Sequence, residues 1–532
     1  MNRLLKRANK RISLGGAATL LIVTALFGQL LGILRTKLVN ANFDALGPHS
    51  TDAYFAAFKI PDFFFFTLAA GALGVAFMPV LADHMQKGDR KGVSELTSSL
   101  LTLLAGAMAI VGVIIFVFAE PLIRTIVAPD LSPQQLHNAA TIMRLVAFNP
   151  LMFTIAGIIT SVQQTYGRFF FYAIAPLFYN ASIVISIYLF KDNIGLIGLG
   201  IGALAGAVLQ LAIVMFGMHG AGFKFRPKIK WRNPDFRLIM RQLPARSIDQ
   251  GVDSINSIAE TNFARRLGEG YLSWYENAYI LHNAPTLLIG TAIATAAFPR
   301  MTDRLAQGRR DLFRKEFLQV LRAMIWIALP VVVVCYFARG YLARLIFAKD
   351  APEIALIFGY LTGAIFFRIL YAIISRWFYA QKDTWTPLII SLFTIGLNIY
   401  LAYTLSRPDA YGVTGLAMAQ SIVAAIEVSI LFCVMLVRDH RLFDNAFWGG
   451  VMRIFSVTGF SILTAFVMVS VLPLNINDRG FVTLGAKLAA IAAVTFLVHL
   501  SISSLFGLEE PRPVIRKARQ FARVLLKPVR VD

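Results

Sequence analysis

The chain alternates long apolar runs with short polar segments along all of its 532 residues. A helix needs roughly 20 apolar residues to cross the hydrocarbon core of a bilayer. Runs of that length predict fourteen spans, at residues 14–38, 51–82, 94–119, 136–161, 169–190, 194–217, 245–266, 272–299, 317–338, 353–378, 384–405, 412–437, 448–471 and 481–505. The pattern therefore predicts an all-α polytopic membrane protein with about 14 transmembrane helices.

Basic residues are concentrated in every second connection between these spans. The segments on one side include Lys87, Arg90, Lys91, Lys224, Arg226, Lys228, Lys230, Arg232, Arg300, Arg304, Arg309, Arg310, Arg438 and Arg441. The opposite loops, 39–50, 191–193, 406–411 and 472–480, contain almost no Lys or Arg; the loop with Arg339, Arg344 and Lys349 is the exception. Since cytoplasmic loops carry the excess of Lys and Arg, both termini are predicted to be cytoplasmic.

The sequence repeats itself at a shift of about 220 residues. Gly195-x-x-Gly198-Leu199 recurs as Gly412-x-x-Gly415-Leu416, and Arg124 aligns with Arg344. Six spans is an even number, so both copies start on the same side, as in transporters built from parallel halves. The predicted organisation is an N-terminal lobe (1–218), a basic linker (219–244), a C-terminal lobe (245–438), two added helices (439–510) and a basic amphipathic tail (511–532).

Composition narrows the functional classes. Of the residues, 57% are hydrophobic and 15% charged, and the net charge of +22 lies in loops and tails, which predicts contact with membrane lipid and no nucleic acid. The two cysteines lie in apolar runs and supply neither a disulfide framework nor a metal cluster. No P-loop or H-E-x-x-H motif occurs, so no enzyme, cofactor or metal site is predicted. The N-terminus lacks a cleavage site, which predicts that the first helix is retained.

Residues 50–89 form an apolar stretch that contains charges where a span should have none. Asp52, Lys59 and Asp62 fall within its first dozen positions, and ionisable groups inside a span are costly and mark a path for ions or polar substrate. The stretch reads T-D-A-Y-x-x-A-F-K-I-P followed by G-A-L-x-x-A-F-x-P-V-L-A-D, and L-G-I-L-R ends at Arg35 upstream. These elements resemble the MurJ/MviN family of lipid II flippases, and the resemblance covers nearly the whole chain.

The resemblance implies a fold and an activity. The fold would be two six-helix lobes plus two C-terminal helices, within the MOP superfamily of exporters. The activity would be translocation of undecaprenyl-diphosphate-linked peptidoglycan precursor (lipid II) from the inner to the outer leaflet by alternating access, in cell-wall biogenesis and maintenance of cell shape. The protein would be a monomer in the bacterial cytoplasmic (inner) membrane, driven by membrane potential or an ion gradient, with cell-wall synthases as further partners.

The charged positions of the spans predict a site. The candidate substrate-binding cations, which would hold a diphosphate, are Arg35, Lys59, Lys37, Arg246 and His282. The candidate gating or ion-coupling acids are Asp52, Asp249, Asp253, Glu260 and Glu276. We expect Asp52 to gate transport and to balance Arg35 or Lys59. The alternative is that these charges only tie the lobes together or extend to the interface.

The sequence departs from the family pattern at several expected cations. Gly28-Gln29 stands where a Ser-Arg pair is usual, Phe65-Phe66 where an arginine pair is usual, and Ala70 and Ile280 replace a glutamate and an arginine. Lys37, Arg246 and His282 are the predicted substitutes. Two other functions therefore stay open: export of another lipid-linked glycan or small drug, and a non-transporting scaffold for cell-wall synthesis.

Overall fold

The computed structural model describes residues 14–70, 77–219, 223, 225–347, 349–475, 478 and 480–525. This part of the chain is helical with short turns and contains no strand. It divides into two compact units, Met1–Glu276 (unit 1) and Asn277–Asp532 (unit 2). The predicted all-α class is confirmed, whereas the lobe boundaries at 218 and 245 stay predictions.

Unit 1 is built from nine helices within the described residues and the start of a tenth. These are α1 (Leu14–Asn42), α2 (Thr51–Phe64), α3 (Met78–Gln86), α4 (Arg90–Leu122), α5 (Pro133–Val146), α6 (Asn149–Thr165), α7 (Phe170–Phe190), α8 (Ile197–Gly217), α9 (Pro234–Arg266) and α10 (Tyr271–Pro285). The unit includes α9, which follows the basic linker, because α9 packs against α2 and against the π-helical turn Phe65–Ala70 that continues α2.

Local sequence explains how α2 begins and why its regular geometry ends. The Ser50 side chain accepts a hydrogen bond from the backbone N–H of Asp52, which satisfies one of the unpaired donors of the first turn. Pro61 lies inside the helix and cannot donate to the preceding turn. Shortly after this missing bond, the α-helix gives way to the π-helical turn Phe65–Ala70, a distortion that is frequent at functional sites.

Small residues allow the helices of unit 1 to approach closely. A Cβ at Gly206 of α8 would lie 2.9 Å from the Tyr179 carbonyl oxygen of α7. A Cβ at Gly251 of α9 would lie 2.8 Å from the Thr67 hydroxyl of the π-helical turn. Glycine at these positions lets backbones pack at distances that any side chain would prevent.

Unit 2 contains the rest of α10 and nine further helices within the described residues. These are α11 (Ala292–Ala306), α12 (Arg310–Phe337), α13 (Arg339–Ile346), α14 (Ala351–Ala380), α15 (Trp385–Leu405), α16 (Val413–Arg438), α17 (Asn445–Val471), α18 (Phe481–Leu505) and α19 (Pro511–Leu525). A further π-helical turn, Thr286–Thr291, joins α10 to α11. The helices α17 and α18 pack against α12, and α18 also contacts α13.

Eleven continuous helical segments of the described chain are long and apolar enough to cross a membrane. Each coincides with one of the fourteen predicted spans. The other three predictions, 14–38, 51–82 and 245–266, are also largely helical and correspond to α1, to α2 with its continuation, and to α9. The chain is therefore a multi-pass membrane protein. Two of the three remaining spans, 51–82 and 245–266, contain most of the candidate site charges.

Candidate substrate and gating site

Arg35 belongs to α1 and is half-buried. Its Nη1 donates a hydrogen bond to Oδ1 of Asn180 on α7, at 3.0 Å. An amide oxygen carries no net charge, so this contact positions the guanidinium without neutralising it. A guanidinium has five N–H donors in a planar fork, and further donors are therefore available to an anion.

Lys59 of α2 is paired with an acid from α10. Its Nζ lies 2.5 Å from Oε1 of Glu276 and donates to the Ser257 hydroxyl of α9 at 2.8 Å. The two charged side chains are 13% and 18% exposed, so the pair is neither sealed in the interior nor fully solvated. Lys59 thus joins three helices through one ion pair and one hydrogen bond to a neutral hydroxyl.

Glu260 occupies a different position, on the buried face of α9. Its Oε1 accepts from the Asn256 side-chain amide and its Oε2 accepts from the Tyr275 hydroxyl, both at 3.0 Å. The side chain is buried. Each carboxylate oxygen therefore accepts a hydrogen bond from a neutral donor.

Asp52, at the start of α2, is completely buried against the turn that joins α9 to α10. Its Oδ1 accepts from the backbone N–H and the hydroxyl of Ser273, at 2.8 and 2.6 Å, and its Oδ2 accepts from the N–H of Gly270 at 2.9 Å. The Arg265 guanidinium at the end of α9 lies 3.8 Å from Oδ2. Three hydrogen bonds and one ion pair fix this carboxylate.

Arg265 extends the contacts of Asp52 to the loop before α5. Its Nη2 donates to the Asp130 carbonyl at 2.8 Å and to Oε1 of Gln135 at 3.0 Å. Gln135 in turn donates to the Gly47 carbonyl, ahead of α2. We call Asp52, Arg265, Gln135, Gly270 and Ser273 the Asp52 cluster. It ties together the ends of α2, α5, α9 and α10 on the side predicted to be periplasmic.

The opposite end of α9 is fastened by a histidine. His84 of α3 contacts Asp89 Oδ2 through Nδ1 at 2.9 Å and Asp235 Oδ2, in the first turn of α9, through Nε2 at 3.0 Å. Partial burial alone would lower the pKa of His84, but the hydrogen bonds to the two carboxylates raise it above its ordinary value. Protonated His84 therefore donates to both acids.

A family model described as lipid II flippase MurJ matches residues 45–484 of the chain. The chain belongs to the MurJ family. Among curated MurJ relatives, a protein of Rhizobium meliloti called probable lipid II flippase MurJ is 24% identical over 93% of this chain and 94% of its own length. A protein of Burkholderia cenocepacia called lipid II flippase MurJ is 24% identical over 76% and 81%.

Solved structures show that the fold is shared beyond the MurJ family. A lipid II flippase MurJ in an inward closed conformation superimposes with a TM-score of 0.74 at 21% identity, over 92% of this chain and 98% of that one. An inward-facing multidrug resistance MATE transporter of the MOP superfamily gives 0.66 at 16% identity, over 78% and 95%. At these identities the likeness establishes the fold alone.

The structure corrects the predicted pairing in this MurJ-family chain. We expected Asp52 to balance Arg35 or Lys59, and this prediction is wrong. The partner of Lys59 is Glu276, and the cation beside Asp52 is Arg265. The seven-residue spacing of Asp52 and Lys59 places them two turns apart along α2, and each meets a different part of α9 and α10.

The remaining predicted site residues are spread over both units. Lys37 is half-buried on α1, and Asp253 is exposed on α9. His282 is buried in unit 2, with its ring 5.3 Å from that of Tyr279. Arg246 and Asp249 belong to α9, but their side chains lie outside the described residues. Whether these residues bind substrate or couple ions stays a prediction.

Sequence reasoning missed several residues that complete the two clusters. Asn180, Ser257, Arg265 and Ser273 contact the predicted charges yet belong to none of the motifs that identified the site. Arg265 alone carried a signal, because it is a cation near the end of a charged span. Uncharged Ser and Asn residues are common in helices, and only the fold brings them to a distant charge.

Proposed function

We propose that this MurJ-family chain moves lipid II from the inner to the outer leaflet of the bacterial cytoplasmic membrane by alternating access. Family membership supports the class of activity, and the partly exposed Lys59–Glu276 pair is the observation on which we base the substrate site. Both termini face the cytoplasm in this proposal. The chain acts as a monomer, catalyses no reaction and needs no cofactor, since translocation breaks no covalent bond.

In this mechanism, Lys59 exchanges partners. Before substrate binds, Glu276 balances the ammonium at 2.5 Å. A diphosphate offers more negative charge and more acceptor oxygens than one carboxylate, so it displaces Glu276 and takes the charge-assisted hydrogen bonds. Arg35, held by neutral Asn180, binds a phosphate oxygen with its remaining donors. Lys37, Arg246 and His282 are the further proposed contacts to the headgroup.

The acids take the gating and coupling roles. The Asp52 cluster fastens the ends of four helices on the predicted periplasmic side, so opening toward the outer leaflet requires these contacts to break or rearrange. Glu260, with Asp249 and Asp253 on the same helix and Glu276 on α10, is the proposed place where a coupling ion or the membrane potential acts. Glu260 is the best placed of them because it is buried and both of its carboxylate oxygens are held in hydrogen bonds.

Complementation of a bacterium depleted of its own lipid II flippase tests this function. We expect the wild-type chain to restore growth and Lys59→Ala to fail although it is present in the membrane. Lys87→Ala is the matched control, because Lys87 forms an exposed ion pair with Asp83 outside the spans. Failure of the wild-type chain, with normal insertion, would contradict lipid II as substrate and favour another lipid-linked glycan, a small drug, or a scaffold for synthases.

A further inference from the structure

Unit 2 contains a cavity of about 630 Å³ at one end of its helices, with both charged and apolar residues in its lining. It lies among the start of α12, the loop from α16 to α17, the start of α17 and the turn from α18 to α19. These segments belong to the side predicted to be cytoplasmic. The volume is within the range of roughly 300 to 1,000 Å³ that small-molecule sites occupy, and the proposed translocation path uses none of its residues.

A buried acid is among the residues that line this cavity. The Glu510 side chain is 6% exposed, and its Oε1 lies 2.6 Å from Nη2 of Arg322. Its Oε2 is buried and has no hydrogen-bond partner among the described residues. A buried carboxylate oxygen without a donor costs free energy, of the order of 1 to 3 kcal/mol or more when charged. The cavity therefore offers an acceptor that favours a cationic or strongly donating group.

A glycine of α17 leaves the room that Arg322 needs beside Glu510. Gly450 of α17 faces the guanidinium so closely that a Cβ there would lie 2.6 Å from Cζ and 2.8 Å from Nε. Any larger residue would push Arg322 away from Glu510. A glycine on α17, an arginine on α12 and a glutamate ahead of α19 thus fit together, and they leave one carboxylate oxygen of a cavity-lining residue without a donor among the described residues.

The exposed part of the lining carries charges of both signs. The acids Asp311, Asp444 and Glu509 are engaged by Arg309, by the backbone N–H of Phe447 and by Arg512. The cations Lys315 and Arg441 are exposed and have no ion pair among the described residues. Arg314 also lines it, but Asp439 holds its guanidinium in two hydrogen bonds of 2.6 Å. A ligand that matches the cavity therefore has a cationic donor at its inner end and an anionic group at its outer end.

We propose that this cavity binds the zwitterionic headgroup of a membrane lipid that carries a primary ammonium and a phosphodiester, as phosphatidylethanolamine does. The ammonium donates to Oε2 of Glu510, and the phosphate lies between Lys315 and Arg441. A lipid is favoured over a soluble ligand because α19 starts at the cavity, with Pro513 in its lining, and combines basic and apolar residues as interfacial helices do. The proposal is independent of the translocated substrate.

Native mass spectrometry of the full-length protein tests the proposal with three lipids of identical acyl chains. We expect phosphatidylethanolamine to be retained about tenfold better than phosphatidylcholine, which has no N–H donor, and phosphatidylglycerol, which has no cation; tenfold corresponds to about 1.4 kcal/mol. Glu510→Gln should remove this preference. Glu509→Gln should not, because Glu509 is exposed and lies 3.7 Å from Arg512 on the same turn.

A second variant keeps the test decisive if Glu510→Gln does not fold. Lys315→Ala changes an exposed side chain and should weaken retention of phosphatidylethanolamine and phosphatidylglycerol alike, by removing a phosphate contact. Equal or tighter binding of phosphatidylglycerol by the wild type, or an unchanged preference in Glu510→Gln, would overturn the proposal. Glycerophosphoethanolamine that binds as tightly as the intact lipid would also overturn it, by assigning the cavity to a soluble ligand.

Discussion

Asp52 and Lys59 lie two turns apart on α2, but the surroundings of their charged groups differ in burial and in the number of hydrogen bonds. Asp52 has no exposed surface and accepts three hydrogen bonds besides its contact with Arg265. Lys59 and Glu276 stay partly exposed, and one further hydrogen bond, to Ser257, supports them. The Asp52 carboxylate is therefore fixed by several contacts at once, whereas the Lys59 ammonium has one ion-pair partner that a ligand can replace.

This difference suits the Asp52 cluster to holding the helix ends closed and the Lys59–Glu276 pair to binding substrate. A buried charge with several donors costs several kcal/mol to disrupt when a partner is removed, so the Asp52 cluster suits a contact that stays closed until the whole end of the bundle moves. The Lys59–Glu276 pair keeps some contact with solvent and has fewer supporting hydrogen bonds, so separating it costs less free energy than disrupting the Asp52 cluster. Lys59 can therefore leave Glu276 for a diphosphate more readily than Arg265 can leave Asp52.

The largest expected effect is on transport by Lys59→Ala. The change removes the ammonium that we assign to the diphosphate and leaves Glu276 without its cation. Loss of a charge-assisted hydrogen bond of about 1.5 to 3 kcal/mol lowers affinity roughly 10- to 100-fold, with a further loss from repulsion by Glu276. Transport of labelled lipid II into the outer leaflet of proteoliposomes measures this effect.

The double variant Lys59→Ala with Glu276→Gln sharpens this result. If Glu276 repels the diphosphate once Lys59 is gone, the double variant transports better than the single one. Equal transport by wild type and Lys59→Ala would assign Lys59 a purely structural role and remove the contrast between the two clusters.

Asp52→Asn should affect the conformational cycle and leave substrate binding intact. The amide leaves Arg265 buried without its countercharge, at a cost of about 3 to 5 kcal/mol by analogy with other broken buried pairs. We expect lower thermal stability and slower transport, with lipid II affinity within about twofold of wild type. Transport is measured in vesicles whose proton, sodium and electrical gradients are set separately.

Glu260→Gln is the matched comparison for Asp52→Asn, because both change a buried carboxylate to its amide. Neutralising Glu260 should alter how transport depends on a gradient, whereas Asp52→Asn should slow transport equally under all gradients. Altered gradient dependence in Asp52→Asn, with none in Glu260→Gln or in the variants of Asp249 and Asp253, would reverse the two assignments.

Arg35→Lys should have a smaller effect. Lysine keeps the charge but loses the planar fork, and it cannot donate to Asn180 and bind phosphate in the same fixed geometry. We expect about a tenfold loss of lipid II affinity, or about 1.4 kcal/mol, measured by binding to the purified protein. Full affinity in Arg35→Lys would show that Arg35 acts only as a point charge.

The smallest expected effect concerns pH at the opposite end of α9. The pKa of His84 is raised in the folded state, so the stabilisation from its protonated contacts is present below about pH 6.5, the ordinary histidine value, and is lost as pH rises through the raised pKa. Hydrogen exchange of residues 84–92 and 235–240, corrected for intrinsic rates, should show less protection at pH 8 than at pH 6.

Two variants isolate the contribution of His84 to that pH dependence. Asp235→Asn should reduce the difference in protection, since it removes one of the carboxylates that favour the protonated ring. Asp83→Asn should not, because Asp83 pairs with Lys87 at the exposed surface. A pH difference of equal size in all three proteins would exclude His84 as its source.

The sequence predicted the helices of this fold well because spans depend on local hydropathy. It also named Arg35, Asp52 and Lys59 as candidate site residues, since charges inside apolar runs stand out without any knowledge of their neighbours. It failed on partners: Asp52 contacts Ser273, and Lys59 contacts Glu276, each more than 200 positions away along the chain. Helical periodicity places residues on one face, but only tertiary packing decides what that face meets.

The α9 helix is held by contacts at both ends and near its middle. The Asp52 cluster holds one end through Arg265, His84 holds the other through Asp235, and Gly251 rests against Thr67 of the π-helical turn between them. While both ends are held, α9 cannot shift along its axis, and a displacement near its middle bends the helix and strains the contacts at both ends. If the contacts at one end break, α9 can instead rotate about the end that is still held. The order in which the contacts at the two ends break would then determine the direction in which the helix rotates.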